Sequence, residues 1–291
     1  MKATWNLLKQ TASEWSEDKA SMLAAALAYY TIFAIAPLLV LVISVAGLVF
    51  NEGQAQQALL EQIRQTVGQN AAGIVQTMIS SQGGQGSSIL ATIIGFATLA
   101  LGATGVFAQL QSALNQIWDV EPKPDEGVLH MVKIRATALG LVLVIAFLLL
   151  VSLVLSSLLS AFGGFLSNNL PGGAALWQLV NFALSLFVIT LLFALIFKYL
   201  PDVKIAWGDV WIGAFVTALL FGVGRFLIGL YIGNSSTAST YGAAGSLIVL
   251  LLWIYYSAQI LLFGAEFTQV YGRRFGSGIE PDEHAVRPSE A

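Results

Sequence analysis

Arg225 and Glu266 are charged side chains set in sequence that is otherwise apolar over span-length distances. A guanidinium is permanently charged and offers a planar fork of donors suited to phosphate or carboxylate. Inside a membrane helix it costs about 2.5 to 3.5 kcal/mol on insertion scales unless it meets a partner or water. Arg225 is therefore expected to face protein or a cavity, where it could bind an anionic group. The alternative is a side chain that reaches up to the outer headgroups or carbonyls. Counted at 1.5 Å per residue, Arg225 lies about 10 Å inside the outer boundary, and Asn181 falls at a similar depth. Glu266, the one carboxylate placed within a span, lies about 8 Å above the inner boundary, in a layer with Tyr29, Tyr30 and Gln111. That layer is either a polar inner vestibule or a structural network that holds Glu266. The two depths differ by roughly two helical turns, which argues against a direct Arg225–Glu266 pair.

Other chemistry is sparse. His130 and His284 stand far apart, with no HExxH spacing, Walker A loop or GxSxG elbow around either. Asp119, Glu121, Asp125 and Glu126 cluster before the third apolar stretch. They read as a Mg²⁺ site or, more simply, as a solvated loop. With no cysteine, disulfides, thiolate metal sites and a cysteine nucleophile are excluded. No cofactor motif is present. A net charge of -3 and the lack of any Lys/Arg cluster argue against nucleic acid as a partner.

The elements that must position these residues follow from composition. The 291 residues are 57% hydrophobic and only 10% charged, and the mean hydropathy is +0.78. That is too little charge to coat a soluble globule of this size. A crossing needs about 20 apolar residues, and the charge-free stretches 20–51, 65–118 and 136–197, with 210–265 broken only by Arg225, each exceed that. The expected fold is an all-α polytopic membrane bundle of six transmembrane helices plus short amphipathic helices. The spans are placed at 22–50, 88–118, 134–162, 175–200, 208–233 and 242–271, within one membrane domain covering 1–275. Pro122, Pro124, Pro171 and Pro201 fall at the breaks, where a helix cannot continue. Pro37 lies within the first span and is expected to kink it.

Outside the spans, Trp5, Leu8, Ala12 and Trp15 recur at helical spacing, which predicts an interfacial helix over 1–19. Leu59, Ile63, Val67, Ile74 and Met78 share one face of the 53–85 connector, expected as an amphipathic helix or hairpin at the outer surface. Residues 276–291, rich in Pro, Glu and Gly, are expected to be a disordered cytoplasmic tail. Small residues at Ser152, Ser156 and Ser160, and again at Gly229 and Gly233, allow close helix approach. They serve packing within one subunit or the face of a homo-oligomer, and both readings stay open. With the N-terminus inside, eleven of the thirteen basic residues fall on the cytoplasmic side and only Arg64 outside. That bias places both termini in the cytoplasm and membrane lipids around the spans.

Four stretches carry a family resemblance. They are Ala24-Ala-Ala-Leu-Ala-Tyr-Tyr30 through Pro37, Leu114-Asn-Gln-Ile-Trp118, Leu200-Pro201 with Trp207, and Tyr241-Gly-Ala-Ala-Gly245 followed by Leu251-Leu-Trp-Ile-Tyr255 and Gly264-Ala-Glu266. In order and spacing they resemble the YihY / virulence factor BrkB family over residues 5 to 275. The resemblance implies a six-span protein of the bacterial inner membrane, of a group long mislabelled ribonuclease BN, with links to serum resistance and lipid-related transport but no established catalytic set. The leading expectation is a transporter or flippase-like protein for a lipid, amphiphile or anionic solute, and not an enzyme. A non-transporting membrane scaffold is the second reading and a membrane-bound hydrolase the third.

Overall fold

The computed structural model describes residues 2–47, 51–67, 69–82, 105–123, 173–234, 245–276 and 278–288, with 136, 140, 144 and 147 as isolated positions. Helices α1 (Lys2–Glu17) and α2 (Ala20–Gly47) lead into α3 (Glu52–Val67) and α4 (Gln69–Gln82). Helix α5 covers residues 105–117. The long helices α6 (Gly173–Tyr199), α7 (Trp207–Asn234) and α8 (Gly245–Arg274) follow. Four two-residue strands complete the description: β1 (Glu121–Pro122), β2 (Val203–Lys204), β3 (Glu280–Pro281) and β4 (Ala285–Val286).

Three described helices are long and apolar enough to cross a bilayer, over Gln178–Tyr199, Trp207–Leu230 and Leu247–Arg274. They coincide with the expected spans at 175–200, 208–233 and 242–271. The span expected at 22–50 falls on α2, which opens with the shorter apolar run Ala20–Ile35 and stays helical through Pro37. Of the span expected at 88–118, α5 is the described part. The span expected at 134–162 lies outside the described residues, four isolated positions excepted, as do Ser152, Ser156 and Ser160.

Helix α7 packs between α6 and α8, and α8 also meets α1 and α2. In lipid, apolar side chains gain little by leaving their solvent, so helices associate through close fit. The fit between α7 and α8 is reciprocal. A Cβ on Gly213 would strike the side chain of Thr268, and one on Gly264 would strike that of Thr217. Each threonine hydroxyl donates to the carbonyl of the glycine four residues earlier on its own helix, Thr217 to Gly213 and Thr268 to Gly264, both at 2.7 Å. Neither hydroxyl is left unpaired in the buried seam. Gly229, expected in a packing stripe, has no contact at its Cβ position. The small residues that matter are one helical turn apart in Gly-x-x-x-Thr runs on facing helices.

Helix α1, expected as an interfacial helix, packs against the bundle. Leu7 and Thr11 are buried, Leu7 in a cluster with Phe267 and Val270 of α8, while Trp5 stays 69% exposed. Helices α3 and α4 form the expected hairpin: Leu60, Val75 and Ile79 pack with Ile43 near the end of α2, with Leu59 and Ile63 flanking them.

The tail departs from expectation. Residues 278–288 are not a disordered extension: β3 pairs antiparallel with β2 and β4 with β1, with Val203 opposite Pro281 and Pro122 opposite Ala285. The Lys123 amide donates to the His284 carbonyl and the Asp282 amide to the Asp202 carbonyl, each at 3.0 Å. Composition misleads here because the segment needs no core of its own. Ala285 inserts into the main hydrophobic cluster beside Trp118, Phe197 and Leu200, and two existing loops supply backbone partners. The α1–α2 turn, the loop after α5, the α6–α7 turn and the tail thus meet at one end of the bundle.

Candidate functional site

Two helix ends build this part of the molecule, and each uses a residue in the left-handed region. At the end of α5 the Val120 amide donates to the Asn115 carbonyl at 3.0 Å and the Asp119 amide to that of Gln116 at 3.1 Å. This is a Schellman motif with Asp119 at the position usually held by glycine, at φ 51°. The α1–α2 turn holds Lys19 at φ 52°, and its Asp18 carbonyl accepts from the Gln116 side chain at 2.9 Å. Both strained residues flank the same cluster of carboxylates. Glu266, Gln269 and Arg273 project from one face of α8 by their three- and four-residue spacing. Asp119 accepts from Gln269 at 3.2 Å and from Arg273 at 2.5 Å.

Glu266 itself is completely buried, and neither of its carboxylate oxygens meets a donor among the described residues. Asp18, in the α1–α2 turn, is half-buried at the same end of the bundle. Burial holds the Asp18 carboxyl above its ordinary value of 3.8, and the charges of Asp119, Glu14 and Glu17 push it the same way. Asp18 and Asp119 also line an open cavity of about 420 Å³ whose other polar walls include Gln111, Asn115, Glu121 and Asp202. Among the described residues, no lysine or arginine lines it. Gln111 donates to both oxygens of Asp202, at 3.0 and 3.1 Å, and Asn115 binds that residue as well. Among the described residues, no three His, Cys, Asp or Glu side chains are placed to hold a metal ion.

A second feature opens on the side of the bundle. A groove of about 310 Å³ runs between α7 and α8, lined by apolar residues such as Leu220, Val223, Leu227 and Phe263, with Trp15 of α1 at one wall. Its rim residues Val223 and Leu227 are exposed. Gly224 lets Tyr256 and Ile260 of α8 approach α7 closely, since a Cβ there would strike both side chains. Two polar atoms of its lining residues are buried without partners among the described residues: the indole nitrogen of Trp15, a donor, and the amide oxygen of Gln259, an acceptor.

The expected site residues are distributed differently from the layers read in the sequence. Arg225 is exposed on α7 and Asn181 is exposed on α6. Tyr29 and Tyr30 are 61% and 46% exposed, in edge contact with each other. Gln111 is buried but turns to Asp202 and the cavity. Among the described residues no hydrogen bond joins Tyr29, Tyr30 or Gln111 to Glu266. The buried Asn115 and Gln269 carry no hydropathy signal. The signal for Asn115 is its place in the Leu114–Trp118 run.

Residues 11–288 match the family described as Virulence factor BrkB. The chain belongs to the BrkB virulence-factor family. It is similar to several proteins described as UPF0761 membrane protein. That of Verminephrobacter eiseniae is 28% identical over 271 residues, covering 91% of this chain and 62% of the relative. That of Pseudomonas paraeruginosa is 31% identical over 254 residues, 85% and 58% of the two chains. That of Alteromonas mediterranea is 27% identical over 275 residues, 93% and 88%. This BrkB-family chain thus spans less than two thirds of the length of the first two relatives. No solved structure matches it. Each residue of the Leu114–Trp118 run is used in the fold, with Leu114, Ile117 and Trp118 in the core, Asn115 bound to Asp202 and Gln116 bound to the Asp18 carbonyl.

Proposed function

We propose that this BrkB-family membrane protein moves a lipid or other amphiphile, as a transporter or flippase-like protein. The observation that carries the reading is the lateral groove with the unpartnered Trp15 donor and Gln259 acceptor. These two atoms lie buried behind the lining, and a buried polar atom without a partner costs roughly 1 to 3 kcal/mol, so a ligand that parts the wall and pairs with them is favoured. Apolar walls suit an acyl chain, and the size lies at the lower edge of the few hundred Å³ common for ligand sites. An anionic solute bound by Arg225 in a cavity gains no support, because Arg225 is exposed on α7. An Arg on that face suits contact with lipid phosphates at the membrane surface.

The topology completes the proposal: six spans in a bacterial inner membrane, with both termini cytoplasmic. Lys123, Arg273 and Arg287 make hydrogen bonds within one end of the bundle, the end that also holds the tail. A positive excess marks the cytoplasmic side. The full chain reconstituted in liposomes is expected to accelerate exchange of a fluorescent phospholipid between leaflets over protein-free vesicles. No acceleration across lipid compositions would favour the scaffold reading instead.

A further inference from the structure

Three side-chain oxygens on one face of α8 are buried without a donor among the described residues: both carboxylate oxygens of Glu266 and the amide oxygen of Gln269. Glu266 is 0% and Gln269 1% exposed. The two residues stand three apart on the helix, a spacing that makes their side chains neighbours. The amide nitrogen of Gln269 is committed to Asp119 at 3.2 Å, which leaves its oxygen for another partner. The indole nitrogen of Trp118, buried in the same hydrophobic cluster as Ala265, pairs with none of the three oxygens. Arg273, two turns beyond Glu266, is about half exposed and engaged by Asp119. A buried carboxylate keeps its charge only beside a partner of opposite sign, and ionisable side chains inside spans commonly mark ion or proton paths.

We propose that Glu266 and Gln269 form the core of a binding site for a monovalent cation of the sodium kind. The oxygen count decides between a cation and a proton. A proton on Glu266 would donate to one acceptor, the Gln269 oxygen, and leave the second Glu266 oxygen bare. A metal cation is coordinated by several oxygens at once and takes all three. Carboxylate and carbonyl oxygens are the donors that hard cations prefer. One carboxylate balances one positive charge, whereas a divalent ion would leave an excess charge in a poorly solvated place. Access comes from the cavity of about 420 Å³ lined by Asp18, Asp119, Glu121 and Asp202, whose Asp119 wall holds Gln269. A cleft lined by one sign of charge concentrates ions of the other. Because Gln269 binds Asp119 as well, the bound cation ties the buried face of α8 to the α5 cap. The inference goes beyond amphiphile movement and does not rest on it.

The test is sodium binding to the full-length protein in detergent, read as retained radioactive sodium and as Tm at fixed ionic strength with choline replacing sodium. A ligand that binds only the folded state stabilises it increasingly with concentration. The wild-type Tm should therefore climb with sodium, and choline should not substitute. Glu266→Gln keeps the shape and one oxygen but removes the charge, and should lose both sodium retention and the Tm response. Gln269→Met keeps a side chain of similar length without the oxygen, and should shift the titration midpoint to higher sodium. If one variant does not fold, the other and the wild-type comparison of sodium with choline decide. No retained sodium in wild type, or retention that survives Glu266→Gln unchanged, would overturn the proposal. An infrared carbonyl band from a protonated Glu266 in saturating sodium would overturn it as well, in favour of a proton.

Discussion

Asn115 and Asp202 clasp each other through two hydrogen bonds across the gap between α5 and the α6–α7 turn. The Asn115 side-chain amide donates to the Asp202 carboxylate at 2.7 Å, and the Asp202 backbone amide donates to the Asn115 side-chain oxygen at 2.9 Å. Gln111 adds two more donor contacts, and the carbonyl of Asp202 accepts from Asp282 of the tail. One aspartate thus joins α5, the turn and the C-terminal strands.

Replacing Asn115 should be costly for that reason. Hydrogen bonds to a charged group are worth roughly 1.5 to 3 kcal/mol, so Asn115→Ala should lower stability by an amount in that range. Gln111→Ala should cost less, since Asp202 keeps Asn115. Thermal unfolding of the two purified variants checks the order.

The α7–α8 seam predicts a sharp contrast between glycines. Gly264→Val forces a side chain into Thr217, while Gly229→Val enters open space. Overpacking a tight site costs typically 1 to 3 kcal/mol, so Gly264→Val should lose at least that much stability and Gly229→Val little. Tm values in the same detergent decide it.

Asp119 combines two effects that substitutions separate. Its ion pair with Arg273 is about half exposed and so worth only about 0.2 to 1 kcal/mol. A left-handed conformation costs most side chains roughly 1 to 2 kcal/mol, with Gly, Asn and Asp the exceptions. Backbone conformation should therefore win: Asp119→Gly, which loses the pair, should remain more stable than Asp119→Ala, which loses the pair and carries the strain. Denaturation midpoints of both variants test the ranking.

Hydropathy and helical period make α6, α7, α8, the α3–α4 hairpin and the single Glu266 legible in the sequence, because each rests on local pattern. What stays hidden depends on pairing across distance. The β1–β4 and β2–β3 pairs involve two residues each and join segments about 80 or more positions apart. The Gly213/Thr268 and Gly264/Thr217 contacts need the helix crossing before the small residues can be matched. Arg225 shows the limit of reasoning from cost alone: the penalty for burial predicts a partner or an escape, and only the packed helix shows the exposed face. Asp18 carries the sequence pattern of a soluble turn, although that turn packs against the buried face of α8.

The tail contacts yield a prediction in solution. A chain ending at Gly276 loses both strand pairings and the Lys123–His284 bond. Limited proteolysis from the tail side should then cleave the 119–123 segment several-fold faster than in the full-length protein. Equal rates would show that the pairings contribute little to the order of that loop.

The measurement that bears most directly on amphiphile movement is leaflet exchange of a fluorescent phospholipid in proteoliposomes holding wild type or Gln259→Leu at equal protein density. Leucine keeps the groove apolar and similar in size while removing the unpartnered acceptor. Exchange that is fast in wild type and reduced about tenfold in Gln259→Leu, with Tm unchanged, is the predicted result; a tenfold change corresponds to about 1.4 kcal/mol. Exchange at the protein-free rate in both, or equal acceleration by both, would contradict the groove as the path.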